Sequence, residues 1–208
     1  MLKKIIYISF ILNLTSSCGT SNYNVNHGVV LEPISEEVKS EMKILALGKS
    51  TGVVFPKEYD GGYSKGRFEK RFTPSKSEIM ELETNIEKKY LEMEREWANY
   101  QAFNWPDDLG YTQEQKQKEY NSLMKWGKKE AREIKYFDRQ YLGFIEDGKK
   151  IIYVRFYDFR QDPYNLENQL SESIIDGWHG WFETNVRQGE YNLSTKKLSN
   201  FGRADLSN

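Results

Sequence analysis

The chain has 208 residues, enough for one domain with extensions and a core of its own. Hydrophobic residues make up only 38%, but aromatics reach 14%, and large rings supply burial that aliphatic side chains usually give. With 30 basic and 31 acidic residues the formal charge is -1, and no basic patch or acidic tail stands out along the chain. That balance argues against nucleic acid as a partner, because phosphate binding needs clustered Lys and Arg.

The chain opens as an export address. Lys3 and Lys4 form a basic start, Ile5 to Leu14 is an apolar run too short to span a bilayer, and Thr15-Ser16-Ser17-Cys18 follows. Cys18 is the only cysteine. The stretch resembles the signal of bacterial lipoproteins, with Ser16, Ser17 and Gly19 fitting its small-residue pattern. Thr15 stands where that family usually carries Leu, with Leu14 one step earlier. The resemblance implies cleavage before Cys18, a diacylglyceryl and palmitate anchor on its thiol, and a cell-envelope location, at the outer membrane or cell surface rather than the inner membrane. Cleavage removes Lys3 and Lys4 and no acid, taking the formal charge from -1 to -3. The expected organisation is a signal over 1–17, a lipidated Cys18 and polar tether over 18–33, and a single domain over 34–208.

His27 lies in the polar tether with no Cys or second His near it, which fits a solvated linker residue better than a ligand. Within the domain, Pro33 and Ser35 start a short helix over 34–47, with Val38, Met42 and Leu45 at helical spacing and Gly48 as its stop; MKILAL also suits a strand. Gly48 to Arg71 reads as loop, with an extended piece at Gly52–Phe55. GKSTG over 48–52 lacks the leading glycine of a phosphate-binding loop, since Lys43 stands at that place. Ser75 and Glu78 make a capping box behind Pro74, and apolar residues then recur every three or four positions from Ile79 to Phe103. A single helix over 75–103 would be about 43 Å long. Pro106 stops it, and Thr112 with Gln115 opens a second, peripheral helix to about Arg132, carrying Tyr120, Leu123, Met124 and Ala131 on its apolar side.

Tyr136 to Phe159 reads as a β-hairpin turning at Asp147-Gly148, a dipeptide suited to positive φ. That turn sets Glu146 opposite Lys149, Phe144 opposite Ile151, Leu142 opposite Tyr153 and Gln140 opposite Arg155. Both faces are apolar, so one packs on a helix and the other is at least partly covered. A loop over 160–168, a third strand over 170–176, a turn at 177–180, a fourth strand over 181–187 and a fifth over 197–205 complete a meander. The fold class is α+β: a long helix packed on an antiparallel four- to five-stranded meander sheet, with a peripheral second helix. In element order it resembles the cystatin-like arrangement over about 75–208, and short runs are similar to small secreted bacterial proteins; neither likeness carries an activity.

Trp178, His179 and Trp181 at one turn, with Tyr153 and Tyr157 on the hairpin, are the candidate binding residues, suited to stacking on a sugar or peptide. His179 and Glu183 lack a third metal ligand. The chain shows no nucleophile motif, zinc signature or glycine fingerprint, no cofactor is implied, and a lipidated Cys18 leaves no thiol for catalysis. The expected function is a membrane-anchored, non-catalytic binding module with a protein or glycan ligand. The alternatives are an inhibitor or immunity protein that blocks an enzyme with the 177–181 turn, and a hydrolase working through carboxylates such as Asp158 and Glu183.

Overall fold

The computed structural model describes residues 24–26, 29–59, 70–104, 110–177 and 180–200. In chain order its first elements are β1 (Asn24–Asn26), β2 (Val29–Pro33), α1 (Glu36–Glu41), β3 (Lys43–Ala46), β4 (Thr51–Val54), β5 (Arg71–Phe72), α2 (Lys76–Glu83), α3 (Ile86–Asn99) and α4 (Gln113–Glu133). Then come β6 (Asp138–Glu146), β7 (Lys149–Tyr157), β8 (Ser173–Gly177), α5 (Trp181–Asn185), β9 (Val186–Asn192) and β10 (Lys197–Asn200). A π-helical turn at Tyr100–Asn104 extends α3.

The β6–β7 hairpin is the centre of the molecule. Asp147 and Gly148 both take positive φ, 48° and 74°, and the four expected pairs stand in the expected register. β9 pairs with β7 and β10 with β9, all antiparallel. The other edge of β6 is shared: β4 runs parallel to its first part, β5 antiparallel to its later part, and β3 lies outside β4. Gly143 makes this possible, because a side chain there would strike the Phe72 backbone carbonyl. The main sheet therefore has seven strands and is mixed, not an antiparallel meander of four or five.

Several expected elements change once the chain closes on itself. The helix expected over 34–47 ends at Glu41, because β3 finds a partner in β4 and Gly48, at φ 83°, makes the turn between them. The long helix breaks at Thr84-Asn85, where Asn85 is left-handed at φ 59° and the Lys89 ammonium binds the carbonyls of Glu81, Leu82 and Thr84. The third expected strand leaves the main sheet: β8 pairs with β2 in a separate three-stranded sheet, β1-β2-β8. The stretch expected as a fourth strand over 181–187 is α5 followed by the start of β9, since Trp181 and Phe182 are adjacent and both buried, a pattern alternation cannot give. The fifth strand stops at Asn200; 201–208 lie outside the described residues. β2 falls in the stretch expected to be tether, yet it is paired and Val29 is buried. Both helix starts behave as read: Ser75–Glu78 and Thr112–Gln115 form reciprocal capping boxes.

The result is layered. Tyr141, Ile152, Val154, Phe156, Tyr191 and Leu198 face α2, α3 and the end of α4. Leu142, Phe144, Ile151, Tyr153 and Tyr157 face the small sheet and α5. α4 is less peripheral than expected, since Ala131 and the following Ile134 join the helix-side core.

Candidate functional site

Tyr153, Tyr157 and Trp181 come together, but inside the layer between the two sheets. Both tyrosines are 0% exposed and Trp181 is 8% exposed. Tyr157 stacks on Phe159 at 5.5 Å and Phe159 on Trp181 at 5.8 Å, while Trp181 Nε1 donates to the Gln161 carbonyl. The Tyr157 hydroxyl lies 2.7 Å from Gln140 Oε1 and 3.0 Å from the Ile175 carbonyl oxygen. Gln140 Nε2 donates to the carbonyls of Leu170 and Ser173, and Arg155 donates to Tyr153, the Ile175 carbonyl and Asp176. Burial pushes the Tyr153 hydroxyl up to about 12 despite the neighbouring Arg155. These side chains are spent on docking the small sheet, because buried polar groups are costly unless paired. Trp178, His179 and Cys18 lie outside the described residues.

A second polar centre lies on the helix side. Arg139 Nε is 3.1 Å from Glu83 Oε1, with both side chains buried. The same guanidinium binds Ser50 and the carbonyls of Phe137 and Ile134, and Tyr141 donates to Glu83. Burial raises the Glu83 carboxyl above its ordinary range, against the pull of Arg139. The pair underlies a cavity of about 440 Å³ at the α2–α3 break, lined in part by Leu47, Met80 and Ile86. Its bonds tie α2, the β3–β4 turn and the end of α4 to β6.

A third centre joins α3, α4 and β9. Arg187 grips Glu130, at 2.5 Å from Nη2 to Oε1, and also donates to the carbonyls of Glu183, Thr184 and Val186. Tyr90 donates to Glu130. Glu94 is packed so tightly on Gly127 that an added Cβ there would lie 2.8 Å from its own. Burial, and then the charge of Glu130, push its carboxyl up to about 7.

Beside this centre α3 and α4 open a groove of about 500 Å³, lined by Arg95, Tyr120, Asn121, Met124, Lys125, Lys128 and Arg132. None of its four cations forms an ion pair with a carboxylate among the described residues, and none of its lining residues is acidic. Lys129 lies 5.6 Å over the ring of Trp126, which is 62% exposed. Read along the chain these cations were missed, but their spacing gives them away: Lys125, Lys128, Lys129 and Arg132 fall at i, i+3, i+4 and i+7, one face of a helix.

Of the carboxylates considered for hydrolysis, Glu183 is exposed on α5. Asp158 is engaged by Arg160 at 2.7 and 2.6 Å; burial opposes ionisation, but the hydrogen bonds from Arg160 win and hold its carboxyl below the ordinary range. Among the described residues no three of His, Cys, Asp and Glu converge on a common point, and no helix is long and apolar enough to cross a membrane. No protein-family model, curated protein or solved structure matches the chain.

Proposed function

We propose that the protein is a lipid-anchored, non-catalytic binding module of a bacterial cell envelope, at the outer membrane or cell surface. The anchoring part is supported by the Lys3-Lys4 start, the apolar run and the lone cysteine at residue 18. The binding part is carried by a contrast in how polar residues are used. Arg139, Gln140 and Arg155 are committed to internal contacts, whereas four cations and an exposed tryptophan on the last turns of α4 are committed to almost none. The hold of Arg160 on Asp158 favours this reading over a carboxylate hydrolase. The cystatin-like reading is supported by β6, β7, β9 and β10, a consecutive antiparallel run with α3 on one face. Trp, Arg and Tyr at the α3–α4 surface favour a protein ligand over a glycan, and so keep the inhibitor or immunity role as a special case.

Cys18→Ser tests the anchor. The variant is expected to move from the membrane fraction to the soluble fraction, and mass spectrometry of the wild-type protein should find a lipidated residue 18 as the new N-terminus. An intact Met1 or an unmodified thiol on protein from its native host refutes the anchor.

A further inference from the structure

We infer that the cationic groove between α3 and α4 docks an acidic polypeptide segment. The choice of a protein over the bilayer rests on the tethered reading above.

Charge comes first. In a chain of net charge -1, Arg95, Lys125, Lys128, Lys129 and Arg132 stand together without a carboxylate partner among the described residues. On α4 the four cations occupy one exposed stripe, next to the row of Met124, Gly127 and Ala131 that is buried against the fold. Like charges held this close raise one another's energy, and an acidic ligand relieves that repulsion. The groove floor then matters. Tyr120 and Met124 line it. Tyr, Met and Arg are side chains enriched at protein interfaces; a site for a bare phosphate polymer needs only the cations.

Position separates the two remaining anionic surfaces. β1 and β2 belong to the small sheet, which covers one face of the main sheet, and α4 packs on the other. Cys18 is six residues before Asn24, a reach of at most about 20 Å for extended chain. A lipid on Cys18 therefore holds the small-sheet side toward the membrane and turns the α4 face outward. An anionic bilayer on the anchoring side does not meet this groove, whereas a macromolecule arriving from the aqueous side does.

The test uses the full chain purified in detergent, titrated with poly-L-glutamate, with polyphosphate of matched charge, and with phosphatidylglycerol vesicles. Poly-L-glutamate is expected to bind, more weakly as salt rises. Reversing Lys125, Lys128, Lys129 and Arg132 to Glu should weaken it at least about tenfold, given that each cation steers and holds the anionic chain. Tyr120→Ala should weaken it by about three- to tenfold with the salt dependence unchanged, the mark of a packing contact. If the fourfold variant fails to fold, Lys128→Glu alone should still lower affinity. Polyphosphate or vesicles binding more tightly than poly-L-glutamate at equal charge would overturn the assignment, as would charge-reversed protein that binds like wild type. Loss of membrane anchoring with poly-L-glutamate binding intact would remove the tether and leave the groove; the opposite result would remove the groove alone.

Discussion

Glu94 shows how one side chain can set the response of the whole protein to pH. Its carboxyl is pushed up to about 7 in the fold, from an ordinary 4.5, because it is partly buried between α3 and α4 and shares its surroundings with Glu130. The folded protein thus keeps a proton that the unfolded chain has already released. Its contribution to stability is complete below about pH 4.5 and is lost as pH rises through about 7. Glu94→Gln keeps the shape and removes the titration. In urea unfolding it is expected to match wild type near pH 4.5 and to exceed it at pH 8 by on the order of 2–3 kcal/mol. An unchanged difference between the two pH values would mean that Glu94 ionises freely. The same local logic explains what was legible residue by residue. The capping boxes at Ser75 and Thr112 need only neighbours three positions away, so they could be read directly. The burial of Tyr153 and Tyr157 could not, because it depends on β8 arriving from twenty residues downstream.

At the scale of elements, the break between α2 and α3 is the feature that periodicity conceals. Ile79, Leu82, Ile86 and Tyr90 keep helical spacing across it, so the apolar stripe reads as one helix although the backbone turns left-handed at Asn85. Lys89 stabilises the break by binding carbonyls that the end of α2 leaves over. Asn tolerates that backbone conformation and a β-branched residue does not. Asn85→Gly is therefore expected to unfold within a few tenths of a kcal/mol of wild type, and Asn85→Val to lose about 1–2 kcal/mol by chemical denaturation. Equal stability of the two variants would show that the break is not set by this residue. The hairpin is the opposite case. Its turn dipeptide, its charge pair at Glu146 and Lys149, and its facing apolar rows agree with one another, and its register follows. α5 had no such support: five residues carry little helical preference of their own, and packing of Trp181 and Phe182 decides their conformation.

For the whole molecule, the small sheet is what converts a sheet with one open face into a layered body. Its own Val29 and Ile174 are buried against the main sheet side, and β8 takes its only described partner from β2. A chain lacking Asn24–Pro33 should retain the hairpin but lose about 2–4 kcal/mol of stability and melt at a lower temperature, since it uncovers buried apolar surface and leaves β8 unpaired. Melting at the wild-type temperature would mean that the N-terminal strands are ornament on an already complete domain. This layering also places β2 and α4 on opposite faces of the main sheet. The amino-acid sequence by itself determined the hairpin and its register, the helix starts and the α+β class, because each rests on residues close together along the chain. Only the tertiary structure decided the parallel pairing of β4 with β6, the departure of β8 to a second sheet, the burial of the expected aromatic site and the exposure of the α4 cations. Those outcomes depend on which distant segments meet, and the free energy of such meetings is written in packing rather than in any local pattern.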